Sequence, residues 1–240
     1  MSLKIIGGGG ASTPAFDPFS LTASLLAWYR ADSIQGLADA VAVSSWKDIS
    51  GNATAATQAT GTAQPTFRTN VLNGKPVVRF DGGDHLASSA LTLPTTWTLF
   101  SVAKAAAAAV DQGIACMDDG STNRFFKHRL SATAAESIVW DTTPTLFVDS
   151  EADAGVTSFK VRAIKREALA VTTYVAGTGT STATTGTPDS GSIPLRLGCA
   201  TPTPGEFLTG DIAEILLYSG ALSDVDRGSV ETYLKGKYAI

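Results

Sequence analysis

The stretch WTLFSVAK, residues 97–104, decides the fold class. Thr98, Phe100 and Val102 fall on one side of an extended chain, and Trp97, Leu99 and Ser101 on the other. Alternation with period two marks a β-strand, because successive side chains point to opposite faces. Further strand-like runs cover residues 25–29, 41–46, 76–80, 125–130, 137–140, 145–148, 158–164, 168–175, 194–198 and 211–218. Within the second of these, period two places Trp46 with Ser44, opposite Val43. Turn residues separate the runs every ~8–12 positions, the pattern of an all-β sandwich. Asn73-Gly74 is a strong hairpin signal, and Asp81-Gly82-Gly83-Asp84 reads as a second turn. The alanines at 105–109 favour helix in isolation but read here as a strand end or loop. Residues 177–191, rich in Thr, Gly and Ser, read as an exposed low-complexity loop.

The end of the chain changes period. Ser223 followed by Asp226 is a capping-box-like helix start. Val230, Tyr233, Leu234 and Lys237 then recur at helical spacing. This predicts a helix over 224–237 that docks on the sandwich through Val230, Tyr233 and Leu234. The chain thus divides into an arm, residues 1–20, and one sandwich domain, residues 21–240. The arm contains Gly7 to Gly10, which hold no preferred conformation, and Pro14 and Pro18, which favour extended backbone.

Composition narrows the function. The 240 residues carry a net charge of −4, which argues against an electrostatic nucleic-acid binder. Only 17% of residues are charged, against ~25% in an average domain, so Thr, Ser, Ala and Gly make up the surface. Leu3, Ile5 and Ile6 are too short a run for a secretory leader. No run approaches the ~18 apolar residues of a membrane span. Cys116 and Cys199 read as two small buried residues or as a pair with each other; no CxxC or HxxxH spacing suggests zinc. Gly7 to Gly10 lack the strand, lysine and helix of a P-loop.

Three stretches carry a resemblance. The first is LAWY with Ala31-Asp32, followed by WKDISGN at 46–52. The second is NGKPVVRFDG at 73–82, and the third is GDIAEILLY at 210–218 leading into the helix that ends YLKGKY. In this order they resemble the concanavalin A-like, LamG-type jelly-roll family, in its bacterial and bacteriophage branch. The resemblance implies an antiparallel jelly-roll β-sandwich with one short C-terminal α-helix. For a chain with a short Gly/Pro arm it further implies a non-enzymatic bacteriophage virion structural protein: a capsid decoration, head fibre or tail component. Such a protein is displayed on the virion surface as a homo-oligomer. The arm would hold it to other virion proteins through Ile5, Ile6, Pro14, Phe16 and Pro18. The alternative is a carbohydrate-binding adhesive module that meets host-surface glycans. The third reading is a sandwich-fold glycoside hydrolase or polysaccharide lyase.

The candidate chemistry follows from those readings. Aromatic faces next to polar side chains suit sugars, and Arg124, Phe126, His128, Trp140 and Asp141 form the best local groups. In a regular strand Phe125 and Phe126 point to opposite faces, so one enters the core and the other can meet a ligand. His85 and His128 stand apart in sequence from nucleophiles and acid pairs and read as surface or internally satisfied histidines. Calcium is an optional ligand, with Asp81 and Asp84 in one turn and Asp118 and Asp119 in another. The competing reading is that these acids cap turns. No cofactor is required. The glycosidase array of alternating acids is missing. Asp211 and Glu214 come nearest, but their spacing of three predicts opposite faces of a strand. WKDISGN itself reads as framework, with Asp48 and Ser50 bonding nearby backbone and Gly51-Asn52 making the turn.

Overall fold

A computed structural model describes residues 16–108, 111–120, 124–142, 145–201 and 206–240. In the first half the strands are β1 (Leu25–Arg30), β2 (Ser45–Trp46), β3 (Ala56–Thr57), β4 (Thr66–Leu72), β5 (Lys75–Asp81), β6 (Leu86–Leu93), β7 (Trp97–Ala105) and β8 (Gln112–Asp118). The second half adds β9 (Arg124–Leu130), β10 (Ala134–Trp140), β11 (Leu146–Ala152), β12 (Lys160–Glu167), β13 (Ala170–Val175), β14 (Thr178–Ala183), β15 (Gly191–Leu197) and β16 (Thr209–Tyr218). The helix α1 (Asp224–Tyr238) closes the chain.

Among the described residues the strands form two antiparallel sheets of eight. One runs β14-β13-β12-β7-β16-β5-β4, with β1 also paired to β16; the other runs β11-β10-β9-β8-β15-β6-β3-β2. The expected all-β sandwich with a C-terminal helix is what the chain builds. The main core lies between the sheets and includes Trp46, Phe80, Trp97, Leu99, Phe126, Leu195 and Ile215. A second core lies on the outer face of the first sheet. There Phe100, Val102, Leu216 and Tyr218 meet Val230, Leu234 and Tyr238 of α1. Ser223 caps the helix, its Oγ accepting from Asp226 N–H at 3.1 Å. The predicted docking residues Val230 and Leu234 are buried, and Tyr233 is half-buried.

The first and third motif stretches meet at one buried carboxylate, and the second is tied to the helix end beside it. Trp28 Nε1 donates to Glu214 Oε1 at 2.6 Å, and Lys237 Nζ and Tyr238 OH donate to Oε2 at 2.6 and 2.7 Å. Asn73 Nδ2 donates to the carbonyls of Tyr238 and Ala239, tying the NG turn to the helix end. Asp48 performs a similar task for WKDISGN. It accepts from Trp28 N–H, from the N–H and hydroxyl of Ser50, and from the N–H and hydroxyl of Thr54. Those bonds hold its carboxyl below the usual carboxylate range even though burial opposes ionisation. Trp46 is fully buried, with its indole N–H on Arg30 O at 3.0 Å. The WKDISGN stretch is framework.

Four expectations need correction. Residues 41–46 do not alternate: the strand is only Ser45–Trp46, and Val43 and Trp46 both enter the main core. Residues 177–191 are not one loop, because they contain β14 and the start of β15. β14 has no apolar face, but its threonines have partners: Thr180 Oγ1 donates to Ser150 O and Thr182 Oγ1 to Val148 O. The hydroxyls thus link the edge of one sheet to the edge strand of the other, covering carbonyls that an edge strand would otherwise expose.

The remaining two corrections share a cause. Opposite β7, Ile212 pairs with Ala103 and Glu214 with Val102, so Ala213 is an extra residue, a β-bulge. The bulge lies where the flank of β16 passes from β5 to β1. It resets the alternation, so Asp211 and Glu214 lie on the same outer face. Opposite β8, Arg124 pairs with Asp118 and Phe126 with Met117, leaving Phe125 unmatched. Both phenylalanines therefore enter the main core, and neither faces solvent.

Candidate functional site

Most of the aromatic-and-polar candidates are inside the protein. Phe126 stacks tilted on Trp97, ring centroids 4.7 Å apart. His128 is fully buried between the sheets, its Nε2 2.9 Å from Ser101 Oγ. Burial, then the nearby Arg162 guanidinium, pushes its pKa down to about 3, so it is neutral. Trp140 is buried with Lys127 Nζ over its ring, and Asp141 is buried with Oδ1 on Thr145 N–H at 3.0 Å. Arg124 is partly exposed, donates to Gly120 O, and lies 3.8 Å from Asp118. These five side chains do not form a shared surface, since four of them, Phe126, His128, Trp140 and Asp141, are buried.

The turn acids act locally. Asp118 is buried, takes the N–H of Gly120 and lies between Arg124 and Lys127, with half-buried Asp119 beside it. Asp81 Oδ1 accepts from Gly83 N–H, and Asp84 Oδ2 accepts from Asp81 N–H, both at 3.0 Å. Burial first, then the Asp81 charge, raises the Asp84 pKa to about 6. Among the described residues no three His, Cys, Asp or Glu side chains gather as a metal site requires. Calcium takes six to eight oxygens, and among the described residues each turn brings two carboxylates together. Cys116 and Cys199 are buried free thiols whose side chains touch.

Of the arm residues, Ile5, Ile6 and Pro14 lie outside the described residues. Phe16 and Pro18, expected to grip a partner, pack on this chain. The Phe16 ring lies 6.1 Å from that of Tyr233, and buried Pro18 accepts the Tyr218 hydroxyl at its carbonyl.

The chemistry that remains accessible lies where α1 leaves the outer face of the first sheet uncovered. Strand register places Thr66, Arg79, Asp211 and Lys104 side by side across β4, β5, β16 and β7. One step along, Asp81 and Thr209 form a second row. All of these but Thr66 line an open cleft of about 450 Å³. Asp211 is buried, and both of its oxygens hold Arg79, Oδ1 on Nε at 2.6 Å and Oδ2 on Nη2 at 3.0 Å. That fork fixes the guanidinium, raises its pKa and leaves Nη1 free of Asp211. Lys104 Nζ lies 3.8 Å from Asp211 and 5.1 Å above the Phe159 ring. Gly82, next to Asp81 in the turn after β5, has φ +99, and a Cβ there would come within 2.7 Å of Thr209 Oγ1, so the tight turn requires glycine.

The cleft therefore offers a fixed donor in Arg79, a second donor in Lys104, an acceptor from exposed Asp81 and a hydroxyl from Thr209. Of the cleft residues, sequence reasoning singled out Asp81 as a turn acid and Asp211 only as the nearest approach to a glycosidase pair. Arg79 and Asp211 sit inside two of the recognisable motifs, yet only cross-strand register brings them together.

No protein-family model matches the chain, and no curated protein matches its sequence. Solved structures do match. The binding domain of Paraclostridial Mosquitocidal Protein 1 superposes with a TM-score of 0.64 at 11% identity, over 89% of this chain and 52% of that one. Domain 4 of AbnA, a GH43 extracellular arabinanase from Geobacillus stearothermophilus in complex with arabinotriose, gives 0.61 at 15% identity over 87% and 98%. Trypanosoma rangeli sialidase in complex with sialic acid gives 0.62 at 10% identity over 90% and 34%. The chain spans about half of the toxin binding domain it matches, at 52%, and about a third of the sialidase, at 34%. At these identities the likeness is one of fold: the chain shares their β-sandwich.

Proposed function

We propose that the chain is a non-catalytic carbohydrate-binding module whose sugar seat is the Arg79–Asp211–Lys104 cleft. The observation that carries this reading is the buried Asp211 carboxylate holding Arg79 in place beside Lys104 at an open cleft. Sugar hydroxyls both donate and accept, and a cleft that presents fixed groups of each kind meets them with little side-chain ordering cost. Two structures of the same fold support the reading: the arabinanase domain with arabinotriose and a botulinum neurotoxin serotype D binding domain with N-acetylneuraminic acid.

Catalysis is disfavoured by the same geometry. A glycosidase needs two working carboxyls. Asp211 has both oxygens committed to Arg79, which leaves Asp81 alone in the cleft lining. The motif resemblance adds the place of display, the surface of a bacteriophage particle with the cleft turned toward host glycans.

The test is a glycan array with the wild-type chain and Lys104→Ala. The wild type should give a sugar-dependent signal that falls at least tenfold in the variant, with both proteins equally folded by circular dichroism. No signal from folded wild type, or an equal signal from both, removes the reading.

A further inference from the structure

The face of α1 turned away from the sandwich carries both a projection and a hollow. Val225 projects near its start, 79% exposed, an unusual position for a valine. The hollow belongs to a groove of about 710 Å³ along the same face. Gly236 lies at the other end of that groove, where an added Cβ would meet no atom within 4 Å. Tyr233, with Phe16 packed on it, lines the groove beside the glycine.

Val225, Ser229, Thr232 and Gly236 recur at intervals of four, three and four, so they form one stripe along the helix. Turned end for end about a point between Val230 and Glu231, the stripe brings Val225 onto Gly236 and Ser229 onto Thr232. The bulkiest residue falls on the smallest. We infer that this face is the docking site of a second copy of the chain, with the two α1 helices packed antiparallel about a two-fold axis. Projection and hollow lie on one patch, so the contact is isologous and closes at two copies.

Charge fixes the direction. Asp224 and Asp226 stand in the first turn of α1, and Lys235 and Lys237 in the last. Antiparallel packing sets the first turn of one copy against the last turn of the other, and it opposes the two helix dipoles. Asp224 and Lys235 lie eleven residues apart, about three turns, so they fall on the same flank of the stripe. Their side chains are 75% and 36% exposed, which lets Asp224 of each copy meet Lys235 of the other. Lys237 already serves Glu214. Parallel packing would instead set Val225 on Val225 and Asp224 beside Asp224, like charge on like. A single helix face per copy falls short of the ~1,200–2,000 Å² of a standard interface, so the dimer is a weak one and is best captured covalently. This inference does not depend on the sugar reading, since the groove and the cleft share no lining residue.

Disulfide trapping in the full chain tests it, because Cys116 and Cys199 are both buried. Val225→Cys with Gly236→Cys puts thiols at the two ends of the stripe, about 16 Å apart on one helix and too far to pair within a chain. Mild oxidation should link two copies. The rate should be at least about fivefold that of Val225→Cys alone, whose thiols would lie at least about 16 Å apart across an antiparallel pair. Asp224→Lys should slow the double-cysteine crosslink, as should Lys235→Asp, and the two exchanges combined in one chain should restore it. Circular dichroism should show every variant folded. No crosslink from the folded double-cysteine chain would overturn the inference. An equal rate from Val225→Cys alone would assign parallel packing or random collision and overturn it, and so would a charge exchange that fails to restore the rate.

Discussion

Asp211 and Glu214 lie three residues apart in β16, on the same face of the same sheet, and their surroundings make them opposites. Glu214 is sealed beneath α1 and holds three donors drawn from the first strand and the helix. Asp211 is also buried, but its partners Arg79 and Lys104 are 39% and 29% exposed and reach into a cleft. The strand is common to both, so the cover decides the role. Where α1 lies over the sheet, a carboxylate becomes a fold-specifying centre. Where the helix stops, the same arrangement of acid and cation becomes a pre-oriented surface.

The sealed centre should show the largest effect. Glu214→Ala strips Trp28, Lys237 and Tyr238 of their acceptor and leaves Lys237 with Asp32, 3.2 Å away. Breaking a buried ion pair by removing one partner costs about 3–5 kcal/mol. Urea unfolding should register that loss, while the fraction still folded keeps its glycan signal. A loss below about 1 kcal/mol would mean that the centre is not what binds helix to sheet.

A smaller effect, of opposite sign, is expected at Asp84 beside the cleft. Its folded pKa of about 6 lies above the unfolded value of about 3.9. Between those values the folded state holds the extra proton, so Asp84 lowers stability as pH rises from 4 to 6. Asp84→Asn keeps an acceptor for Asp81 N–H and removes the charge. The variant should be more stable than the parent at pH 7, by about 2 kcal/mol, and the advantage should vanish near pH 4. Asp48 acts in the other direction. Its depressed pKa contributes stability that is present above pH ~3.9 and is lost as pH falls through the folded value. Melting curves from pH 3 to 7 read both signs, and an Asp84→Asn advantage that is flat with pH would refute the first.

Asp211→Ala should cost less than Glu214→Ala, because the freed Arg79 and Lys104 turn to water. About 1 kcal/mol is the expected loss for a pair with one partly exposed partner. Glycan affinity should nevertheless fall about tenfold, the factor carried by 1.4 kcal/mol of lost pre-organisation. If stability drops as far as in Glu214→Ala, the two carboxylates are equivalent and the contrast fails.

Much of this contrast was legible before the fold was known, but not the part that matters for binding. The strands with an apolar stripe, such as 97–104, announced themselves by alternation. The helix announced itself by Ser223 and by the spacing of Val230 and Leu234. Asp48 was readable as framework because its partners are local. Three things were not readable. A bulge is set by what the partner strand does, so neither Ala213 nor Phe125 carries a mark that shifts the face of its neighbours. β14 is built from Thr, Gly, Ser and Ala, and it is a strand because it pairs with β13 while its hydroxyls reach the carbonyls of β11, which no local pattern records. The cleft joins residues 79, 104 and 211 by register alone. The sugar cues that sequence does display, His128 and Phe126 among them, turned out to fill the interior.

Lys104→Met is the mildest change and sharpens the contrast most. Methionine keeps an unbranched stem over Phe159 and removes the ammonium donors. Lys104 lies 3.8 Å from Asp211, beyond hydrogen-bond reach, so it adds little to the Arg79–Asp211 fork. Stability should therefore change by less than about 0.5 kcal/mol. Glycan affinity should fall about tenfold if the ammonium contacts a sugar hydroxyl, as loss of one charged hydrogen bond predicts. Salt separates the two sources of such a loss. Arg79 and Lys104 are balanced by Asp81 and Asp211, so a neutral sugar should bind almost equally at low and high ionic strength. An affinity that collapses with salt would mean that Lys104 steers an anionic ligand, and the cleft would then be a charge sensor of the kind Glu214, under its helix, can never be.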